Sequence, residues 1–312
     1  MHYAPEYGFV SNPVLTLAPN PMSVSPLRIV SLVPSVTELI ADLGLAPYLV
    51  GRTGFCIHPA YLMESVAKVG GTKAVNIDKI RALAPTHVVV NVDENEKPTI
   101  DLLRQWVPHI VVTHPCAPVD NLALVDQLLA AFSPVLAPEP QVLQAVCAHA
   151  DSLKQQLNQR LGKLQAEHAQ RQPEQVLYLI WRDPWMTVAQ DTYISRMLEL
   201  INWQSLPAVD GGDGVQTPGA TRYPVLRGDE PWLAQVQRVL LSSEPYSFKD
   251  EHLNEVQSWL PHAAVQLVDG EMLSWYGSRA VPGLDYLAAL SAAASAEGAA
   301  SALGGSTSTL PA

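Results

Sequence analysis

The segment QWVPHIVV at residues 105–112 returns as SWLPHAAV at 258–265, and the agreement extends well beyond those positions. Upstream of each copy stands a helix-like piece, an apolar strand and an acidic turn, in RALAPTHVVVNVDEN (81–95) and PWLAQVQRVLLSSEP (231–245). Further upstream, RIVSLVPSVTELIADLG (28–44) pairs with QVLYLIWRDPWMTV (175–188), which continues as DTYISRMLELIN (191–202). Each reads as a buried strand, a bend and an amphipathic helix. A chain that uses one unit twice folds as two similar lobes. Strands alternating with helices favour mainly parallel sheets covered on both faces, so the expected class is α/β. The lobes are placed at 28–139 and 174–290.

Between them, residues 141–172 are bracketed by Pro140 and Pro173 and interrupted only by Gly162. Leu143, Val146, Ala150, Leu153, Leu157, Leu161 and Leu164 recur at three- and four-residue steps, the stripe of one long amphipathic helix. At 1.5 Å per residue it spans roughly 45 Å, enough to brace both lobes as a stiff connector over 140–173. The spacing is also near a heptad, so a dimerising coiled coil competes with the strut, although a monomer is the expected state. Residues 1–27 hold five prolines and no Lys or Arg and read as an irregular extension. Residues 291–312 are mostly Ala, Ser, Gly and Thr and are expected to fray as a disordered tail.

Several function classes drop out. With 19 Lys+Arg against 30 Asp+Glu, the net charge of −11 opposes a phosphate backbone, so nucleic acid is not an expected partner. No apolar run approaches the ~20 residues of a membrane span. A leader with early positive charge before an apolar stretch is also missing, which points to a soluble, cytoplasmic chain. Cys56, Cys116 and Cys147 form no Cys-x-x-Cys pair and read as reduced, packed thiols. No nucleophile elbow, phosphate loop or His-Glu-x-x-His occurs; VGGTK (69–73) and DGGDG (210–214) resemble phosphate loops only in composition. Neither a catalytic set nor a metal site is assigned, and no catalytic cofactor is expected. His58, His114 and His252 could meet a metal only through tertiary convergence.

In open α/β sheets ligands bind beyond the carboxyl ends of the strands. Those ends carry an unusual share of rings: Trp181, Trp185, Tyr223, Trp275 and Tyr276, with Met186, in the second unit, and Phe55 in the first. Arg52, Arg182 and Arg279 lie among them, as does Glu244. Flat apolar faces beside a few fixed charges suit a large, partly planar, polar ligand. Asp183 fixes the turn with Arg182 or grips polar edges of the ligand. Core or inter-lobe packing is the alternative for any one of these aromatics. Strand-end acids Asp93, Glu94, Glu244 and Glu271 leave open an intracellular enzyme acting on such a ligand.

The runs RIVSLVPSVTELIADLG, LVGRTGFCIHP and VGGTKAVNIDKIRALAPTHVVV, with the long connector, together resemble the helical-backbone substrate-binding proteins of ABC importers. The cobalamin-binding branch is the most similar, with iron-siderophore binders as cousins. The resemblance covers residues 28–290. It implies two α/β lobes joined by one rigid helix, and a corrinoid or other metal chelate held without chemistry in the cleft between them. It also implies aromatic walls, which Met186, Tyr223 and the Trp275-Tyr276 pair match by position; Met186 departs from the aromatic type. Docking on an ABC importer permease through one acid per lobe is implied for Asp78 and Glu230, if the chain is exported to the periplasm as that family is.

Overall fold

The computed structural model describes residues 27–62, 64–211 and 221–304. The expected N-terminal extension, Leu27 apart, and most of DGGDG lie outside the described residues. The first lobe holds β1 (Ile29–Ser31), β2 (Leu49–Arg52), β3 (Ala67–Lys68), β4 (His87–Asn91) and β5 (His109–Thr113), all parallel, in the order β3-β2-β1-β4-β5. The second holds β6 (Glu174–Leu179), β7 (Trp203–Ser205), β8 (Arg238–Ser242) and β9 (Ala264–Val268), again parallel, in the order β7-β6-β8-β9. In both, the first strand is central, the second lies on one side, and the last two lie on the other. The repeated sequence has become a repeated topology, with β3 added to the first lobe.

The helices are α1 (Pro34–Ile40), α2 (Ile77–Ala82), α3 (Lys97–Leu103), α4 (Asp120–Leu136), α5 (Pro140–His168), α6 (Tyr193–Glu199), α7 (Asp250–Trp259), α8 (Gly270–Ser274) and α9 (Ala280–Gly304). Pro34 and Pro140 occupy first-turn positions, where a missing N–H is harmless. Strand residues divide between cores with a period of two. Val88 and Val90 face a core private to the first lobe, and Leu177, Leu179, Val239 and Leu241 one private to the second. Val89, Val176, Tyr178 and Leu240 face a third core that runs through both lobes.

Helix α5 forms the floor of that shared core. Val146, Ala150, Leu153, Leu157, Leu161 and Leu164 are all buried, against Leu128, Phe132 and Leu136 of α4 and Leu284 and Leu287 of α9. Its stripe is thus covered within one chain, which is the strut arrangement and not the coiled-coil one. The Ala/Ser stretch expected to fray from residue 291 instead continues α9 as far as Gly304. Alanine is the best helix former, and the helix is anchored where Ser291 accepts a hydrogen bond from Arg171 and pairs with His168 Nε2 at 2.8 Å. Residues 305–312 lie outside the described residues.

Candidate ligand-binding cleft

Parallel strands bring every carboxyl end to one edge of each sheet, and exposed apolar surface collects there. Phe55 is 63% exposed, Val92 51%, Val119 56%, Trp181 39% and Val225 54%, all just past the ends of β2, β4, β5 and β6 or in the 221–226 segment packed on them. Single exposed apolar residues are ordinary; a group at the carboxyl edge of two sheets is a candidate binding surface.

Local backbone pairing assembles the second-lobe part. Residues 180–189 bend back on themselves through a Trp181–Met186 bridge and then run antiparallel to 222–226. Leu226 N donates to Trp185 O at 2.8 Å, Thr187 N to Pro224 O at 3.0 Å and Ala189 N to Arg222 O at 2.8 Å, with Met186 bridged to Val225. Two motifs distant in sequence, WRDPWM and TRYP, become one short ladder. Period-two alternation then sends neighbours apart. Met186 and Tyr223 pack on the shared inter-lobe core, whereas Trp185 turns into the private core of the second lobe. There it stacks on Phe248 at 5.9 Å and lies 5.7 Å from Trp259. Trp185, expected among the strand-end rings that face a ligand, is thus turned toward the second lobe's own core. Arg182 is also drawn off, held bidentately by Glu255 of α7 at 3.0 Å and paired with Asp183 at 3.1 Å. It fixes the turn.

The segment Trp275–Arg279 behaves differently from its expected role as a wall. Trp275 and Tyr276 are each 8% exposed. They form a wedge from the second lobe packed on α1 of the first. Gly277, at φ +78°, sits where a Cβ would come within 3.0 Å of Leu39, so glycine is required both by conformation and by space. Arg279 donates to both Glu38 oxygens at 2.7 Å and to Glu271 at 3.0 Å, and its guanidinium lies 5.0 Å from the Trp275 ring. Tyr276 Oη donates to Glu94 at 2.7 Å, Trp275 Nε1 to Glu244 at 2.6 Å, and Gly277 N to Asn121 Oδ1 at 2.5 Å. His58 completes the seam at 3.0 Å from Glu271. Arg52 is buried at the end of β2, where it donates to Thr53 O at 3.0 Å. Of the expected ligand-facing residues, Phe55 and Trp181 are exposed, whereas Met186 and Tyr223 are half-buried against the inter-lobe core.

A second polar group, not evident from spacing along the chain, lies at the ends of β4 and β5. Asp93 at the end of β4 lies 3.5 Å from His114 and 3.7 Å from Arg222, while Arg222 Nη2 and His114 Nε2 are each 3.4 Å from Cys116 Sγ. Burial pushes the Asp93 carboxyl up, but hydrogen bonding to His114 and the Arg222 charge outweigh it and hold Asp93 below the usual range. Glu94, one residue on, goes the other way. Burial raises it from 4.5 to about 7, opposed by the Tyr276 hydrogen bond and reinforced by Asp93 and Glu244. Burial likewise raises Glu244, against its bonds from Ser274 and Trp275.

A folded-state value above the unfolded one means the native protein binds more protons between the two. Stability from Glu94 is therefore fully present below about pH 4.5 and is lost as pH rises through about 7. The full shift corresponds to about 3 kcal/mol, reduced to about 1–2 kcal/mol because Glu94 keeps some solvent contact. Glu94→Gln, whose amide oxygen still accepts from Tyr276, is expected to be neutral at pH 5 and stabilising by that amount at pH 8. Urea denaturation at the two pH values checks this; an equal effect at both contradicts it.

A profile of the family described as periplasmic binding protein matches residues 29–220. The chain belongs to the periplasmic binding protein family. Members are non-enzymatic substrate-binding proteins of ABC importers. Among curated relatives, the vitamin B12-binding protein of Vibrio cholerae is 25% identical over 225 residues, covering 72% of this chain and 71% of that protein. The vitamin B12-binding protein of Yersinia pestis is 24% identical over 243 residues, 77% of each. In fold, the chain is similar to the periplasmic vitamin B12-binding protein of Vibrio cholerae, with a TM-score of 0.68, 20% identity, and coverage of 86% of this chain and 97% of that one. A periplasmic heme-binding protein from Roseiflexus sp. RS-1 follows at 0.64, 19% identity, and coverage of 86% and 99%. Among the described residues, no helix is long and apolar enough to cross a membrane, and no cluster of three or more His, Cys, Asp or Glu side chains is arranged to hold a metal ion.

Proposed function

We propose that this periplasmic binding protein family member holds a planar metal chelate of the corrinoid class, without altering it, at the strand-end surface between its lobes. The observation that carries the reading is the exposed apolar group at the carboxyl edges of both sheets, with Trp181 and Phe55 as its open rings and Tyr223 beneath. Rings presented there offer stacking area at little entropic cost. Similarity to vitamin B12-binding proteins supports the corrin over other macrocycles. Similarity in fold to a heme-binding protein makes a porphyrin the ligand to test against it.

Delivery to an ABC importer permease completes the proposal. Asp78 is exposed in the first turn of α2 and free to meet a basic partner surface. Glu230 is more committed, since its carboxylate accepts from Arg227 N at 2.7 Å and Gly228 N at 2.9 Å. Asp78→Lys is therefore the more informative of the two substitutions in a docking assay.

Titration with cobalamin, cobinamide, hemin and ferric siderophores, followed by tryptophan fluorescence, tests the binding. Saturable quenching by a corrinoid at micromolar concentration is the expected result, and none by any of the four rejects the proposal. Trp181→Ala is expected to weaken corrinoid binding about 10-fold, the loss of roughly 1.4 kcal/mol of stacking. An unchanged affinity places the ligand elsewhere.

A further inference from the structure

The turn after β4 carries Glu94 to the lobe junction and holds it in place. Asp93 N and Glu94 N both donate to Asn91 Oδ1, at 2.8 and 3.3 Å, and the Asn95 side chain ties the same turn to Leu32 O and Thr72 O, at 3.3 and 2.9 Å. From the second lobe, buried Tyr276 reaches across to donate to Glu94 Oε1 at 2.7 Å. The neighbouring cross-lobe contacts are of another kind. Gly277 N and Tyr193 Oη meet the amide of Asn121 in α4, at 2.5 and 3.0 Å, and Arg279 is ion-paired with Glu38 of α1. Glu94 has a hydroxyl in place of a cation. The titratable groups that act on it are Asp93 of its own turn, Tyr276, Glu244 and Tyr223 of the second lobe, and Cys56 past β2, all of them neutral or acidic. Arg222 is engaged at Asp93, and Arg279 at Glu38 and Glu271. As an acid, Glu94 accepts from Tyr276 with no charge to bury. As a carboxylate it is a half-buried charge with one donor and two like charges beside it, and parting the lobes returns it to water.

We propose that the Glu94–Tyr276 contact is a proton-operated latch between the lobes, which holds them together while the Glu94 carboxyl carries its proton and lets them part when it ionises. A ligand between the lobes is then retained in acid and released more readily as pH rises; this second half rests on the chelate-binding reading above. Burial, first of all, sets the range, raising Glu94 from 4.5 to about 7 in the closed arrangement. Once parted, the lobes leave Glu94 in water, where it gives up its proton. The closed arrangement is therefore favoured below about pH 4.5 and loses that advantage as pH rises through about 7. Asn121 keeps its bonds to Gly277 and Tyr193 at any pH, so the latch acts on the ligand-facing side of a joint that has a second, uncharged fastening.

Hydrogen exchange of the Gly277 amide, whose N–H crosses the lobe boundary, tests the latch in the full chain without any ligand. Comparing wild type with Glu94→Gln at the same pH cancels the intrinsic exchange chemistry. The two are expected to exchange alike near about pH 5, and wild type about 10-fold faster near about pH 8, with the β8 amides slower than Gly277 throughout. An equal ratio at both pH values overturns the latch, as does Gly277 exchange no faster than that of β8, which makes the opening global. His58→Gln, at the neighbouring contact with Glu271, is expected to differ from wild type by the same ratio at both pH values. A ratio that changes with pH there, but not for Glu94→Gln, overturns the assignment in favour of His58. Cyanocobalamin then tests the coupling to a ligand. Its dissociation from wild type is expected to be about 10-fold faster near about pH 8 than near about pH 5, and from Glu94→Gln equal at both. Release independent of pH in wild type, with binding intact, overturns the coupling. No binding of cyanocobalamin counts against the chelate reading alone, since the exchange result decides the latch.

Discussion

Arg279→Ala is expected to destabilise the protein by about 3–5 kcal/mol, the cost of leaving a partner charge buried and alone. The Arg279 side chain is 11% exposed and Glu38 15%, with both Glu38 oxygens committed to the guanidinium. Glu271 and the Trp275 ring lose a partner in the same step. Such pairs add little over an apolar pair of equal volume, because desolvation of each ion offsets most of the attraction between them; the harm lies in breaking one. The double variant Glu38→Gln/Arg279→Met should therefore recover most of the loss. Urea denaturation of the three proteins checks both statements, and a loss below about 1 kcal/mol for Arg279→Ala shows the seam to be dispensable. Because Arg279 joins α1 of one lobe to the wedge of the other, its loss should also loosen the lobes, read as faster amide exchange at Tyr276 and Gly277 than at β8.

The second large effect concerns the strut. Leu157 is fully buried in the middle of α5, between residues of α4 and α9. Leu157→Glu buries an unpaired carboxylate and deletes a packed side chain, and is expected to cost about 4 kcal/mol or more and to abolish cooperative unfolding at 25 °C. Leu157→Met, which conserves volume, should cost less than about 1.5 kcal/mol. Circular dichroism melts with size-exclusion chromatography separate this from the coiled-coil alternative. A folded Leu157→Glu monomer arising from a wild-type dimer refutes the strut.

Both effects bear on how much could be read in advance. The strut was legible because a helix with one apolar face repeats every 3.6 residues, and that period survives whatever the stripe packs against. Arg279–Glu38 was not, although the arginine itself stood out. Its partner lies in SVTELI, where Glu38 looks like one polar position of an amphipathic helix. Only the docking of one lobe on the other joins them. Cys116, expected as a packed thiol, is only half-buried for a similar reason: its imidazole neighbour is two residues away, but the guanidinium opposite comes from the other lobe.

The strand-end aromatics show the boundary most clearly. That WRDPWM and TRYP end or follow strands was evident, and both do border the cleft region. Which way each ring turns was not, since two adjacent residues, Trp185 and Met186, enter opposite cores. Strand identity, the duplicated α/β unit, the bracing helix and the edge at which a ligand would sit are all properties of local periodicity and connection order, and the amino-acid sequence determines them by itself. Which charges pair across the gap, which rings stay open to it and which are consumed in closing it depend on how two separately folded sheets meet. Those contacts join residues far apart in the chain and carry no period along it, so the tertiary structure alone decides them.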